Sequence, residues 1–302
     1  MNKLLVILGP TAVGKSELAI TLAKKFQGEI ISADSRQVYK GLNIGSGKVP
    51  KDKDSPSGYY SHGILHHLLD VADPQEYFSV AQYQQLAHQA ITSVQQKGKL
   101  PIVAGGSGMY ISALIEGWQF PAVAPNPKLR EQLEKKNISE LLAILQKLDP
   151  LKASSLDLHN KRRIIRAIEI ANQLGRIPPL IKKPPPWDIL IIGIKKERTE
   201  LKKLIAQRLE KRLQEGMIEE VKQLKHTLSS QRLEDLGLEY RWINRYLEGK
   251  VSYSQMKESL YQDICRFAKR QMTWFKKIKN VHWISQKAEA IKLVEKWLTS
   301  PY

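Results

Sequence analysis

Gly9-Pro10-Thr11-Ala12-Val13-Gly14-Lys15-Ser16 fills every fixed position of the phosphate-binding pattern G-x-x-x-x-G-K-[ST]. Before it runs Lys3-Leu4-Leu5-Val6-Ile7-Leu8, an apolar stretch that reads as a buried strand. After it, Glu17 to Lys25 is rich in good helix formers. Strand, loop and helix form the context in which this pattern works. The glycines let the chain curl so that several N–H groups point inward, and the helix N-terminus adds positive potential. Lys15 is expected to hold an outer phosphate as a point charge, and Ser16 to sit on Mg²⁺. The stretch therefore predicts binding of a di- or triphosphate, without saying which reaction follows.

Working outward, Gly28-Glu29-Ile30-Ile31-Ser32-Ala33 reads as a second strand that ends at Asp34-Ser35-Arg36-Gln37. Residues 41–63 are rich in Gly, Pro, Ser and Lys and read as a long loop. A helix is expected near Val80–Lys97. Leu100-Pro101-Ile102-Val103-Ala104 reads as a third strand, running into Gly105-Gly106-Ser107-Gly108. Strands alternating with helices predict an α/β fold: a P-loop NTPase-like parallel sheet flanked by helices, with ligands at the carboxyl ends of its strands. After Gly117 prolines 121, 125 and 127 lead into helical patterns near 128–136, 139–148 and 161–174. Pro178-Pro179 and Pro184-Pro185-Pro186 then mark a break. We read 118–185 as a helical insertion, with a catalytic core made of 1–117 and 186–302. In the core's second part, Asp188 to Ile194 is again an apolar strand. Residues 198–225, 238–248 and 252–277 are basic helices, and Val281-His282-Trp283-Ile284 is a last short strand.

Composition narrows the function classes. Lys and Arg number 48 against 30 Asp and Glu, a net charge of +18 over 302 residues. Such an excess suits a polyanionic partner, nucleic acid ahead of membrane. No apolar run approaches the roughly 20 residues of a membrane span. The chain enters its first strand directly, so no signal peptide is expected, and the single Cys265 excludes an internal disulfide. A cytoplasmic protein fits.

Asp34, just past a strand end, could bind Mg²⁺, act as a general base or cap a turn. Arg36 and Gln37 can reach a phosphate or base edge. Strand 100–104 ends without the acid that nucleotide hydrolases use to help hold Mg²⁺. That favours a transferase whose loop holds a diphosphate leaving group. The glycines at 105–108 suit close approach of a substrate, and Ser107 offers a hydroxyl. Arg162 and Arg166 share a helix face, while Ile164, Ile165 and Ile168 supply core contacts. Residues 266–277 interleave basic and aromatic side chains, a pattern that suits RNA and equally an amphipathic core helix. His66-His67 lacks a third ligand nearby, so a metal is not expected there.

GPTAVGKS (9–16), ISADSRQVYKGLNIGSGK (31–48), HHLLDV (66–71) with the following Asp73-Pro74, and AGGSGMYISALIEG (104–117) together resemble the tRNA dimethylallyltransferases. So do NKRRIIRAIEI (160–170), LQEGMIEEVKQL (213–224), YLEGKVSYSQ (246–255) and RFAKRQMTWFKK (266–277). The resemblance spans nearly the whole chain. It implies transfer of a dimethylallyl group from dimethylallyl diphosphate to N6 of the adenosine at tRNA position 37, beside the anticodon. It also implies roles. Asp34 is the general base, Ser107 stands for the family's usual Thr, and Arg208 reaches the diphosphate alongside Gly9 to Ser16. Asp34, Ser35, Arg36, Gln37, Ser107, Arg130, the run Arg162, Arg163, Ile164, Ile165, Arg166, and Arg270 fall where the family meets the tRNA anticodon stem-loop. Mg²⁺ on Ser16 is the expected cofactor, and a monomer the expected state. Residues 232–240 depart from the family's usual turn, so no site role is assigned there. No zinc finger follows the C-terminal helix, as in the compact type of the family. Rival readings are an adenylate isopentenyltransferase, a small-molecule P-loop kinase and a non-catalytic RNA-binding module.

Overall fold

A computed structural model describes residues 2–53, 57–155 and 160–300. The chain divides into two compact units, Met1–Glu116 with Pro185–Tyr302, and Gly117–Pro184. In the first unit β1 (Lys3–Leu8) leads through the phosphate loop into α1 (Lys15–Lys25). There follow β2 (Gly28–Ala33), β3 (Tyr59–Ser61), β4 (Ile64–His67), α2 (Val80–Gln96), β5 (Leu100–Gly105) and α3 (Gly108–Ile115). The second unit holds β6 (Trp118–Gln119), α4 (Pro127–Glu134), α5 (Ile138–Leu148), α6 (Pro150–Ser155), α7 (Lys161–Leu174) and β7 (Ile181–Lys182). The first unit resumes with β8 (Asp188–Ile194), α8 (Arg198–Gln214), α9 (Met217–Leu224) and α10 (Ser230–Leu236). It ends with α11 (Leu238–Leu247), α12 (Tyr253–Phe275), β9 (Val281–Ile284) and α13 (Lys287–Thr299).

The seven-stranded sheet has the order β3-β4-β2-β5-β1-β8-β9, and only the edge strand β3 pairs antiparallel. β1 is buried at every position because helices cover both faces, the situation in which parallel strands read as continuous apolar runs. Leu18, Leu22, Ala290 and Val294 of α1 and α13 pack on one face. Tyr83, Ile91, Ile111, Met217, Tyr240, Leu260 and Phe275 belong to the core on the other. Register is what positions the site. Leu8 lies level with Gly105, and Gly105 with Ala33. The residues that follow the three strands therefore leave the sheet side by side.

Several expectations change. The 41–63 stretch, expected as loop, contains β3, a three-residue strand too short to announce itself; its residues 54–56 lie outside the described ones. The single helix expected over 198–225 is two, because Gly216 adopts φ 97 between them. The short helices α3, α6 and α10 add to the expected set. α12 is capped by a reciprocal Ser252–Gln255 box. It buries Met256, Leu260, Ile264, Ala268, Gln271 and Phe275 along one stripe. Among the described residues, no helix is long and apolar enough to cross a membrane.

In the second unit Asn126, Asn137 and Asn160 cap α4, α5 and α7, and Gly175 closes α7 at φ 75. Leu133, Leu141, Leu145, Ile164, Ile165 and Ile168 form its core. Beside it lies buried Glu169. This carboxylate accepts two bonds from Arg130, Nε and Nη2 each at 2.8 Å, one from Arg166 Nη1 at 3.2 Å, and one from the Asn126 N–H at 2.8 Å.

A second buried carboxylate sits at the amino edge of the sheet. Glu29 is 3% exposed and meets His67 Nε2 at 2.8 Å, Lys99 at 2.8 Å and Lys97 at 3.2 Å. Burial alone would raise its pKa; the hydrogen bonds of Lys99, His67 and Lys97 outweigh it and hold the group at about 2. A depressed carboxylate stabilises the fold above its unfolded pKa and loses that contribution as pH falls through the folded value. Wild-type stability, followed by urea unfolding, is therefore expected to fall between about pH 4.5 and 2, and Glu29→Gln to flatten that part of the profile. An equally steep loss in the variant would contradict this origin.

Candidate active site

The phosphate loop, the turn after β2 and the turn after β5 border one cleft of about 1280 Å³, together with residues from α8 and α10–α12. Small-ligand pockets commonly measure about 300–1,000 Å³, so this one has room for more than a diphosphate. The loop curls through positive φ at Ala12 (66°) and Gly14 (86°), the alternation that gathers N–H groups into a nest. Gly14 is the N-cap of α1, so the nest also lies at a helix N-terminus.

The loop residues divide by what they face. Thr11, Ala12, Gly14, Lys15 and Ser16 line the cleft. Gly9 and Val13 are buried, and Pro10 uses its carbonyl to accept a 2.6 Å bond from Lys15 Nζ. The Thr11 amide is taken by the protein: its N–H donates to Gln271 Oε1 at 2.9 Å, and the Thr11 Oγ1 accepts from Arg208 Nη1 at 2.8 Å. Thr11 shapes the loop rather than offering a free amide. Ser16 is exposed and lines the cleft.

Asp34 does cap a turn, accepting the Arg36 N–H on Oδ1 at 2.9 Å. Its second oxygen has no hydrogen-bond partner among the described residues, and Asp34 lines the cleft close enough to Lys15 and Arg208 to act on both charges. Ser107 Oγ accepts the Ser35 N–H at 2.9 Å, and the Ser107 N–H donates to Ala33 O at 3.1 Å. These bonds lock the two turns together and leave the Ser107 hydroxyl proton available.

Three groups of neighbouring residues also have partners within the protein. Arg36 donates Nε to Leu236 O at 2.6 Å and Nη2 to Asp235 O at 3.4 Å. Gln37 accepts from Ser32 Oγ at 3.0 Å and donates to Gly47 O at 3.1 Å. Both are engaged inside the protein because two later segments close over this turn. Glycines 105, 106 and 108 are also small for the protein's own packing. A Cβ at each would overlap Ala33, Gln271 and the Trp274 indole respectively. In the second unit Ile164 and Ile165 are core, and Arg130 and Arg166 serve Glu169, so none of the four is a free surface contact. Arg162 and Arg163 are exposed on α7. Arg270 is exposed and lines the cleft, with its guanidinium 5.9 Å from the Phe267 ring.

Residues to which sequence reasoning gave no role complete the wall or brace it from behind. Glu220 of α9 accepts the N–H groups of Asn43, Ile44 and Gly45 at 2.6–3.0 Å and pins the 43–47 turn. Gly47 has φ 65, and a Cβ there would overlap the guanidinium groups of both Arg208 and Arg212. Arg212 donates to Gly45 O and to Glu239 Oε1, each at 3.2 Å. Glu239 lies in the 232–240 stretch that received no role. Burial raises its pKa, with Arg212 opposing. Glu220 was visible only as an acid in a helical motif, and nothing local marked its three amide partners.

Electrostatics favour an anion. Burial first, then Arg208, push the Lys15 ammonium down to about 7, against the pull of Asp34. Arg208 is lowered to about 10, by burial and then Arg212, and stays a cation at neutral pH. An anion in the loop restores Lys15 toward its ordinary value, so binding takes up a proton wherever Lys15 starts out neutral. Calorimetry of inorganic diphosphate in buffers of different ionisation enthalpy is expected to report roughly 0.8 more proton taken up at pH 8 than at pH 6 by wild type relative to Lys15→Met. Equal uptake in both proteins would place the anion elsewhere.

A family model described as IPP transferase matches residues 37–278. The chain is 43% identical over 283 residues to tRNA dimethylallyltransferase 1 of Syntrophus aciditrophicus, covering 92% of this chain and 90% of that protein. It is 38% identical over 296 residues to tRNA dimethylallyltransferase of Anoxybacillus flavithermus, covering 96% and 92%. The crystal structure of a tRNA isopentenylpyrophosphate transferase from Bacillus halodurans superposes with a TM-score of 0.72 at 33% identity, covering 99% of this chain and 97% of that one. A eukaryotic dimethylallyltransferase acting on tRNA shares the fold, with a TM-score of 0.81 at 24% identity over 99% of this chain and 80% of the other.

Proposed function

Since the chain belongs to the IPP transferase family, we propose that it transfers the dimethylallyl group of dimethylallyl diphosphate to N6 of the tRNA adenosine beside the anticodon, at position 37. The observation that carries this reading is the convergence of an anion-binding loop and a carboxylate with one open oxygen on the same cleft. The diphosphate lies in the nest of residues 12–16, with Lys15 and Arg208 at its oxygens. The allylic C–O bond breaks and its electron pair leaves with the diphosphate, where these cations stabilise the growing charge. The N6 lone pair forms the new C–N bond, and Asp34 accepts the N6 proton on its open oxygen. Ser107 donates its hydroxyl proton to the nucleotide. An anticodon-loop base reaches such a cleft by leaving its stack, and the cleft's volume accommodates it beside the prenyl chain.

A Mg²⁺ ion fits the donor set: the Ser16 hydroxyl is a hard oxygen ligand, and Mg²⁺ commonly completes its shell with substrate phosphate oxygens and water. When bound it would neutralise diphosphate charge. Among the described residues there is no cluster of three or more His, Cys, Asp or Glu to hold it otherwise. Ser35, Arg36, Gln37, Arg130, Arg162, Arg163, Arg166 and Arg270 are the proposed tRNA contacts; Arg162, Arg163 and Arg270 are exposed, and Arg36, Gln37, Arg130 and Arg166 also make bonds within the protein. A cytoplasmic monomer is the proposed working form.

Asp34→Asn separates the base from the turn cap, because an amide oxygen still accepts the Arg36 N–H but takes no proton. Transfer of labelled dimethylallyl diphosphate to unmodified tRNA is expected to fall roughly 10²–10⁴-fold in Asp34→Asn, as in Asp34→Ala, with the melting temperature of the Asn variant unchanged. Label on free AMP rather than tRNA would move the assignment to the nucleotide-prenylating rival, and near-normal transfer by Asp34→Asn would remove Asp34 as the base.

A further inference from the structure

Gln271 lies on the buried stripe of α12, 6% exposed, in a place where helical spacing calls for an apolar residue. Its neighbours along that stripe, Ala268 and Phe275, are packed in the core. Its amide is held by backbone on both sides. Oε1 accepts the Thr11 N–H at 2.9 Å, and Nε2 donates to Gly106 O at 2.8 Å. One orientation of the amide satisfies both partners and the flipped one neither. Gly106 has no side chain at the point where a Cβ would overlap Nε2.

These two bonds close a longer path. Thr11 also holds Arg208 through its Oγ1, at 2.8 Å. Gly106 precedes Ser107, whose Oγ holds the Ser35 N–H at 2.9 Å, and Ser35 follows Asp34. A continuous run of covalent and hydrogen bonds thus joins Asp34 to Arg208 through Ser35, Ser107, Gly106, Gln271 and Thr11. Its two ends are the group proposed to take the N6 proton and a group proposed to hold the leaving diphosphate. Gln271 is the one member contributed by α12.

We infer that Gln271 is a positioning residue of the transfer reaction: its amide sets the distance between the phosphate loop and the Asp34–Ser107 side of the cleft, and so aligns the allylic carbon with the attacking nitrogen. This rests on the function proposed above. Gln271 lines the cleft but turns its amide onto the two turns rather than into the open space, so it acts on the chemical step through geometry and leaves binding largely alone. A displacement of about 1 Å in a reacting pair costs on the order of 10²-fold in rate. Glutamine is the side chain that meets the need. Glutamate keeps an acceptor for Thr11 but turns a second oxygen on Gly106 O, and methionine fills the volume with neither bond.

The test uses Gln271→Met and Gln271→Glu beside wild type. Single-turnover transfer to tRNA is read together with tRNA and inorganic diphosphate dissociation constants and melting temperature. The expected result is a loss of about 10²-fold in the single-turnover rate, in both variants, with dissociation constants changed by less than about threefold and melting temperature close to wild type. A wild-type rate in either well-folded variant overturns the inference. So does a rate loss that only tracks lost stability or lost binding, since Gln271 would then be structural. If wild type itself transfers nothing to tRNA, the proposed function fails, and that outcome is separate from the comparison between variants.

Discussion

The parallel pairing of β1 with β5, and of β5 with β2, is the constraint on which the site depends. Leu8, Gly105 and Ala33 are level across the three strands, so everything that follows them starts from one line. The phosphate loop, the Asp34 turn and the Ser107 turn are then neighbours without any long-range adjustment. The chemistry asked of them differs at each end. The loop and α1 present N–H groups and a lysine to an anion, and the two turns present a carboxylate oxygen and a hydroxyl. A parallel sheet with helices on both faces can hold these ends a fixed distance apart because its own strands are buried and do not give.

Around that line, most polar side chains are committed to the protein itself. Arg36 holds the end of α10, Gln37 holds the Gly47 carbonyl, Glu220 holds three amides of the 43–47 turn, and Arg212 pairs with Glu239. The groups facing the cleft beside the loop include Lys15, Ser16, one oxygen of Asp34, the Ser107 proton, Arg208 and Arg270, with Lys24, Lys211 and Arg241 farther along its wall. This division is what gives a broad, basic cleft a defined reacting centre. Gly47 belongs to the same arrangement, since its missing side chain is what allows Arg208 and Arg212 to approach together.

How far this was legible in the chain follows from sequence distance. The phosphate loop, β1, β2 and the place of Asp34 beside them are local patterns, and they are found where periodicity and spacing place them. Gln271 and Glu220 act on residues far away in the chain, and no local rule marks a glutamine in a helix as the partner of residues 11 and 106. The same limit applies to residues whose partners are distant in the chain. Arg130 and Arg166 look like free cations until Glu169 is seen folded between them, and glycines 105, 106 and 108 look like room for a substrate until Ala33, Gln271 and Trp274 are seen to fill it. Charge and glycine report a need for close contact, and only the fold says with what.

The central claim is that one cleft holds a prenyl diphosphate with its reactive carbon toward Asp34. A crystal structure with a thiolo analogue of dimethylallyl diphosphate, which cannot ionise readily, tests it most directly. The account predicts the diphosphate on the amides of the nest and on Lys15 and Arg208, with the allylic carbon directed toward the open oxygen of Asp34 and the Ser107 hydroxyl. An analogue bound elsewhere, or bound in the loop with its carbon chain directed away from Asp34, would contradict it.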